Sequence, residues 1–212
     1  MKLILLGAPG AGKGTQAEII CDKYNIPAFS TGNILREAVK NETETGLKAK
    51  EYMDAGALVP DEVVIAVIRE RLEEPDAQAG FILDGVPRTV AQAEALEQMG
   101  VDISRVININ VSDEDIVKRL SGRRVCETCG ASYHTIYKPS KQPNICDRCN
   151  GRLIVRKDDE PSTILARLKT YHEQTEPLIE FYRKRGKLAE VEGAEDLSET
   201  TARVAKVLEA LE

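Results

Sequence analysis

The sequence predicts an α/β fold in which a five-stranded parallel sheet is flanked by helices. Short apolar runs alternate with longer segments whose apolar residues recur at helical spacing, a pattern typical of parallel strands joined by crossover helices. A glycine-rich stretch directly follows the first apolar run. Residues 30–59 and 122–159 interrupt the alternation. The sequence therefore predicts a βα core that carries two insertions.

Five apolar runs are the predicted strands. They are Leu3–Leu6, Phe81–Leu83, Val106–Ile109, Leu188–Val191 and, with a weaker pattern, Ile26–Phe29. Residues 30–59 instead predict short amphipathic helices without a strand. Residues 122–159, called the cysteine segment below, are rich in Cys, Pro, Gly and basic side chains.

Helices are predicted where start signals precede periodic apolar residues. One follows Pro60-Asp61-Glu62, and another follows the capping-box pair Ser112 and Asp115. A long helical pattern runs from Pro161 to about Arg185 with a kink predicted at Pro177, and a closing helix is predicted over Asp196–Leu211.

The amino-acid composition disfavours several classes of protein function. The 212 residues carry a formal net charge of -6, aromatic residues make up 4%, and tryptophan is absent. Nucleic-acid and membrane-surface binders are usually basic, and single-strand binders stack bases on aromatic rings, so both classes are disfavoured. The first apolar run is too short for a signal peptide, and no stretch approaches the roughly 20 apolar residues of a membrane span. We therefore expect an unprocessed cytoplasmic protein.

A phosphate-binding loop is predicted between the first strand and the first helix. Its sequence, GAPGAGKGT, lets backbone N–H groups turn toward phosphate oxygens, and the helix N-terminus adds positive potential. Lys13 would reach the β- and γ-phosphates. The strict pattern G-x-x-x-x-G-K-[ST] is broken, because Gly14 follows the lysine and the hydroxyl comes at Thr15. The loop predicts polyphosphate binding but leaves the reaction open.

Asp84 is predicted to lie beside this loop. Asp84 ends the apolar run in FILDGVPRT, where a carboxylate could hold magnesium or its water shell next to the phosphates. A carboxylate at a strand end is also common as a plain cap. The phosphate loop, together with Arg88 four residues later, favours the functional interpretation.

Seven motifs together resemble the adenylate kinases: GAPGAGKGTQ at 7–16, STGNILR at 30–36, LVPDEV at 58–63, ILDGVPRT at 82–89, GRR at 122–124, RKDD at 156–159 and ARL at 166–168. The resemblance implies a P-loop NTPase core over residues 1–29, 60–121 and 160–212, an AMP-binding insertion over 30–59, and a zinc-binding lid over 122–159. It implies phosphoryl transfer from MgATP to AMP giving two ADP.

The resemblance also implies site residues. The implied catalytic residues are Lys13, Asp84, Arg88, Arg123, Arg156 and Arg167. ATP would contact Gly10, Ala11, Gly12, Lys13, Gly14, Thr15, Arg119, Arg123, Ser132, Tyr133 and Glu195. AMP would contact Thr31, Arg36, Ala57, Leu58, Val59, Gly85, Arg88, Gln92, Arg156 and Arg167. Guanidiniums suit this chemistry because their planar forks match phosphate oxygens and stay charged.

Four cysteines have the spacing of a structural zinc site. Cys126-x-x-Cys129 and Cys146-x-x-Cys149 are separated by sixteen residues, and clustered cysteines in a reducing compartment are more often metal ligands than disulfides. Four cysteine ligands leave no open position for water, so the zinc would be structural. The fifth, Cys21, lies at helical spacing with Ala17, Ile20 and Tyr24, and this pattern predicts a small core residue.

Two positions depart from the family pattern and keep alternatives open. Asn33 stands where aspartate is common, which removes a carboxylate near the expected Mg²⁺, and Val86 stands where phenylalanine is common, which thins the wall beside AMP. A kinase for UMP or CMP is one alternative. Another is a nucleic-acid-binding ATPase with a zinc ribbon, which the acidic charge disfavours. We expect a monomer whose two insertions move freely, acting on ATP, AMP and ADP.

Overall fold

Strands and helices alternate along residues 1–211, the part of the chain that this computed structural model describes. The strands are β1 (Lys2–Leu6), β2 (Ala28–Ser30), β3 (Phe81–Asp84), β4 (Arg105–Asn110), β5 (Arg123–Cys126), β6 (Ser132–His134), β7 (Leu153–Ile154) and β8 (Leu188–Glu192). The α-helices are α1 (Lys13–Tyr24), α2 (Thr31–Lys40), α3 (Glu44–Asp54), α4 (Asp61–Glu73), α5 (Val90–Gln98), α6 (Asp113–Gly122), α7 (Pro161–Thr170), α8 (Pro177–Lys184) and α9 (Leu197–Glu209). Over the described residues, no helix is long and apolar enough to cross a membrane.

The central sheet has five parallel strands in the order β2-β3-β1-β4-β8. This confirms the predicted α/β class and all five predicted strands. The second strand begins two residues later than predicted, at Ala28. Pro27 explains the shift, because it has no amide hydrogen to donate to the ladder and contributes only its carbonyl, which accepts from the Ile82 N–H.

Both faces of the sheet are covered by helices, which explains why its strands are continuous apolar runs. Ile4 and Leu6 of β1 pack toward α4, α5 and α8, whereas Leu3 and Leu5 pack toward α1 and α9. Cys21 packs, partly buried, on the second of these faces, as predicted.

The two interrupting segments differ in structure. Residues 30–59 contain α2 and α3, and their only strand residue is Ser30, the last residue of β2. The cysteine segment holds a second, antiparallel sheet in the order β6-β5-β7. It buries a small cluster of its own, made of Cys126, Ala131, Tyr133, Cys146 and Leu153.

The long helical pattern after Pro161 is irregular, as predicted, but the irregularity begins before the proline. A π-helical turn over Tyr171–Thr175 separates α7 from α8, and Pro177 is the first residue of α8, where its missing N–H costs nothing. The Thr175 hydroxyl in this turn donates to the Arg88 carbonyl oxygen at 2.8 Å. The turn therefore holds the backbone of a predicted site residue.

Candidate functional site

A cavity of about 610 Å³ lies at the carboxyl ends of the central strands. Ligands of open parallel sheets bind at this edge. The cavity is lined by 21 of the residues that the sequence predicts for nucleotide binding and catalysis, namely Gly10, Ala11, Gly12, Lys13, Gly14, Thr15, Thr31, Arg36, Ala57, Leu58, Val59, Asp84, Gly85, Arg88, Gln92, Arg119, Arg123, Ser132, Arg156, Arg167 and Glu195. Tyr133 does not line it.

The loop between β1 and α1 requires glycine at several positions. Gly10 and Gly12 have φ values of 86° and 103°, which side chains with a Cβ rarely adopt. A Cβ at Gly10 would also lie 2.8 Å from the Leu120 side chain. The loop is thereby shaped so that α1 begins at Lys13 with its N-terminus facing the cavity.

Lys13 is folded back onto the loop. Its ammonium donates to the carbonyl oxygens of Gly7 at 2.7 Å and Ala8 at 3.0 Å. Burial lowers the pKa of Lys13 to about 8, and the positive charges of Arg88, Arg167 and Arg123 add to the lowering, while Asp84 opposes it. An anion in the cavity would reverse this shift, because a negative charge favours the protonated amine.

Five arginines from separate parts of the chain converge on the cavity: Arg36, Arg88, Arg123, Arg156 and Arg167. Three of them are held by two adjacent carboxylates. Arg123 pairs with Asp159 and Arg156 with Asp158, both through two hydrogen bonds, and Arg167 donates to Asp159 at 3.0 Å. Asp158 and Asp159 were not among the predicted site residues, although the motif RKDD contains them.

The other two arginines bond to neutral acceptors. Arg36 donates to the Asn33 side-chain oxygen at 2.6 Å, and Arg88 donates through Nε to the Gly85 carbonyl oxygen at 2.9 Å. Burial lowers the pKa of Arg36 to about 9, and repulsion from Arg156 adds to this effect. Asn33 therefore gives Arg36, a partly buried cation, a neutral partner in place of a carboxylate. Such a region is suited to a polyanion.

The turn after β3, which leads to Arg88, is held by hydrogen bonds to the Gly85 carbonyl oxygen. The Thr31 hydroxyl donates to the Gly85 carbonyl oxygen at 2.8 Å, and Gly85 has a φ of 78°. Val86 is fully buried in the core cluster below the cavity. Asp84 stands next to the phosphate-binding loop, because a Cβ placed on Gly14 would lie 3.7 Å from its carboxylate.

The opposite end of the cavity is bounded by Arg119, which spans two loops. Its guanidinium donates to the carbonyl oxygens of Ala11 at 3.2 Å and Ala194 at 2.8 Å. His134 and Tyr137 line this end with Ser132. Tyr133 points the other way, and its hydroxyl accepts from the Asp147 N–H at 2.8 Å and contacts Cys146 Sγ at 3.4 Å.

The four predicted metal ligands form one cluster. The Sγ atoms of Cys126, Cys129, Cys146 and Cys149 lie within 4.8 Å of one another. In a tetrahedral zinc site with Zn–S bonds of about 2.3 Å, the sulfur atoms would be about 3.8 Å apart. Each Cys-x-x-Cys pair sits on a turn that ends in a left-handed residue, Gly130 after the first pair and Asn150 after the second. The donor set and its spacing therefore fit zinc.

The chain resembles known proteins of one family. The family model described as adenylate kinase matches residues 5–187. The chain is 56% identical to an adenylate kinase of Acetivibrio thermocellus over 98% of each chain. It is also 53% identical to an adenylate kinase of Archaeoglobus fulgidus over 99% of this chain and 98% of that protein.

Proposed function

The chain belongs to the adenylate kinase family, and from that membership we infer that it is a phosphotransferase that interconverts ATP plus AMP and two ADP. The structural observation that supports this proposal is the convergence of five arginines and Lys13 on one cavity. Adenosine phosphates are polyanions, and transfer between two of them requires their charges to be neutralised and their phosphates aligned.

We propose that ATP occupies the end of the cavity bounded by the phosphate-binding loop and Arg119. The glycine-rich loop would present its N–H groups to the phosphates, and Lys13 would exchange its two carbonyl acceptors for β- and γ-phosphate oxygens. Arg119, held by its hydrogen bonds to the carbonyl oxygens of Ala11 and Ala194, would offer its guanidinium plane to the base, with Ser132 and Glu195 also lining the cavity. Tyr133 would support this end only indirectly, through its bonds near the cysteines.

Arg123, Arg156 and Arg167 would stabilise the phosphoryl group in transit. Their guanidiniums are already positioned by Asp158 and Asp159, so little reorganisation would accompany transfer. The acceptor, a phosphate dianion, is itself a nucleophile and needs no general base. The role of the protein would therefore be alignment and charge stabilisation.

AMP would occupy the end formed by residues 30–59 and the turn after β3. Arg36 and Arg88 lack carboxylate partners among the described residues, so they are available to a phosphate dianion. Thr31, Gly85 and the backbone of 57–59 would surround the nucleoside, and Gln92 would face the base. The arrangement favours AMP, and the UMP or CMP alternative is tested below.

Magnesium fits the carboxylate beside the phosphate loop. Asp84 would hold Mg²⁺ or its water shell, and the bound ion would neutralise part of the triphosphate charge. Asn33 has no carboxylate to offer Mg²⁺, and its neutral side-chain oxygen accepts a hydrogen bond from Arg36. We therefore assign the magnesium role to the Asp84 carboxylate.

We propose that the cysteine segment is a zinc-stabilised lid on a core formed by residues 1–29, 60–121 and 160–212, with residues 30–59 as the AMP-binding insertion. The segment buries only a small cluster of its own, so a metal would supply rigidity that its core cannot. A closed lid would keep water from the γ-phosphoryl group. We also propose a monomer in a reducing cytoplasm, where both segments can move and the thiols stay reduced.

Glu18 on α1 fastens the cysteine segment to the core in this arrangement. Its carboxylate accepts a hydrogen bond from Lys138 at 3.2 Å and forms an ion pair with Arg148 at 3.3 Å, both in the segment. Because exposed ion pairs contribute up to about 1 kcal/mol each, Glu18→Gln should raise KM for ATP by roughly two- to fivefold at low salt and less at high salt. Glu199→Gln, which breaks the Arg203 pair on α9, is the control and should leave KM unchanged. An unchanged or salt-independent KM in Glu18→Gln would contradict this contribution.

The activity itself is tested by ADP formation from MgATP, with AMP, UMP or CMP added in turn. We expect ADP only with AMP, at two ADP for each ATP consumed. Preferential phosphorylation of UMP or CMP would favour the alternative acceptor. ATP hydrolysis independent of any monophosphate, combined with salt-sensitive retention of RNA, would favour the nucleic-acid-binding ATPase instead.

A further inference from the structure

A buried amide network stands behind the AMP end of the cavity. Gln92 is 1% exposed, and it lines the cavity. Its side-chain Nε2 donates to Asp61 Oδ1 at 2.7 Å, and its Oε1 accepts from the backbone N–H of Arg88 at 2.7 Å. Asp61, the first residue of α4, is not among the residues that line the cavity.

These two bonds fix which end of the Gln92 amide is the donor. A carboxylate only accepts hydrogen bonds when ionised, and a backbone N–H only donates, so the nitrogen must face Asp61 and the oxygen must face Arg88. The Thr89 hydroxyl bonds to both Asp61 oxygens at 3.1 Å and accepts from the Gln92 N–H at 3.1 Å, which holds Asp61 in place. The Arg88 carbonyl is held in turn by Thr175.

The fixed amide still has hydrogen-bonding capacity for a base. A primary amide has two N–H donors and an oxygen with two lone pairs, so one donor and one lone pair remain. Adenine presents an amino donor beside a ring-nitrogen acceptor, which matches an amide whose oxygen and nitrogen cannot exchange places. Hypoxanthine reverses the two groups, with a carbonyl oxygen beside a ring N–H, and would meet oxygen with oxygen.

We propose that Asp61 is a positioning residue for acceptor specificity, because it locks the Gln92 amide in the orientation that accepts adenine and rejects hypoxanthine. The inference rests on the proposed function. Asp61 acts through Gln92 and does not touch the nucleotide. Its charge makes the bond to Nε2 stronger than a neutral one, and this strengthens the lock.

The test compares AMP with IMP, which shares the phosphate, the ribose and the purine size, in the wild-type enzyme and in Asp61→Asn. Asparagine at 61 can donate as well as accept, so the Gln92 amide loses the carboxylate that fixes its nitrogen and is oriented only by the Arg88 N–H at its oxygen. The ratio of kcat/KM for AMP to that for IMP should fall by about tenfold, through a higher KM for AMP, while KM for ATP stays unchanged. Glu62→Gln is the matched control, since Glu62 is an exposed carboxylate in the same first turn of α4.

The outcomes separate the inference from the function on which it rests. A wild-type enzyme that uses AMP, with an unchanged AMP-to-IMP ratio in a folded Asp61→Asn variant, would overturn the role of Asp61 and leave the proposed function intact. A wild-type enzyme that does not phosphorylate AMP would overturn both. If Asp61→Asn melts well below Glu62→Gln, the comparison is repeated with Asp61→Ser, whose hydroxyl also donates and accepts. An unchanged ratio in that variant counts equally against the inference.

Discussion

Replacing Arg88 by glutamine should reduce kcat/KM for AMP by roughly 10³-fold and should not lower the melting temperature. The loss follows from the proposed clamp on the acceptor phosphate. The unchanged stability follows from the surroundings, because burial lowers the pKa of the Arg88 guanidinium and, although Asp84 opposes the shift, Arg156 adds to it. A cation whose pKa is depressed by folding destabilises the folded state, so a neutral side chain relieves that cost.

Steady-state kinetics and calorimetry on the same samples check both parts of this prediction. The control is Arg183→Gln, an exposed arginine on α8 paired with Glu180 and Glu190, which should keep full activity. If Arg88→Gln keeps more than about a tenth of the activity, the clamp role is wrong. If it melts below the wild-type protein, the electrostatic argument is wrong.

The expected combination of lost activity and retained stability could not be predicted from the sequence alone. The motif ILDGVPRT places Arg88 in the turn after a strand, but its partial burial near Arg156 depends on the fold. The two carboxylates that hold the other arginines, Asp158 and Asp159, were likewise missed. In a charged stretch such as RKDD, the sequence alone does not indicate which charges are buried.

The features predicted well have strong local causes. The strands β1, β3, β4 and β8 are covered on one or both faces, so apolar runs mark them, and the loop before α1 needs glycine for its positive φ values. The small sheet β6-β5-β7 was missed because two of its strands, RRVC and SYH, are at least half polar, and the third, LI, has only two residues. Without a long pattern, no apolar period can be recognised.

The orientation of Tyr133 could have been predicted from the sequence, because side chains alternate along a strand. Adjacent residues of a strand point to opposite faces, so Ser132 and Tyr133 could not both face the cavity once β6 is a strand. Ser132 and His134 line the cavity, and Tyr133 packs toward the cysteines. Recognising the strand would have assigned the tyrosine to the support of the cysteine cluster.

The cysteine cluster leads to the second large expected effect. Replacing Cys129 by serine should remove bound zinc and accelerate amide hydrogen exchange at Cys126 and Cys146 by at least about 10³-fold. These two N–H groups close the turns that hold the sulfur atoms, and they donate to Ala131 at 2.9 Å and Gly151 at 2.8 Å. Structural zinc in small metal-binding domains contributes roughly 10 kcal/mol or more to folding, far more than the small apolar cluster of this segment can replace.

The effect should remain local, and this distinguishes a lid staple from a general loss of stability. Amide hydrogen exchange in β1 and β4 should stay slow. The affinity of the phosphate loop for a nonhydrolysable ATP analogue should change little, whereas the melting temperature of the cysteine segment should fall clearly. Cys21→Ser is the matched control. Cys21 lies on α1 and packs against the core of the central sheet, so this substitution should leave the zinc content unchanged. If Cys129→Ser retains wild-type zinc content and the same melting profile, the cluster does not hold the segment through a metal. In that case its rigidity must come from Tyr133 and the few apolar side chains beside it.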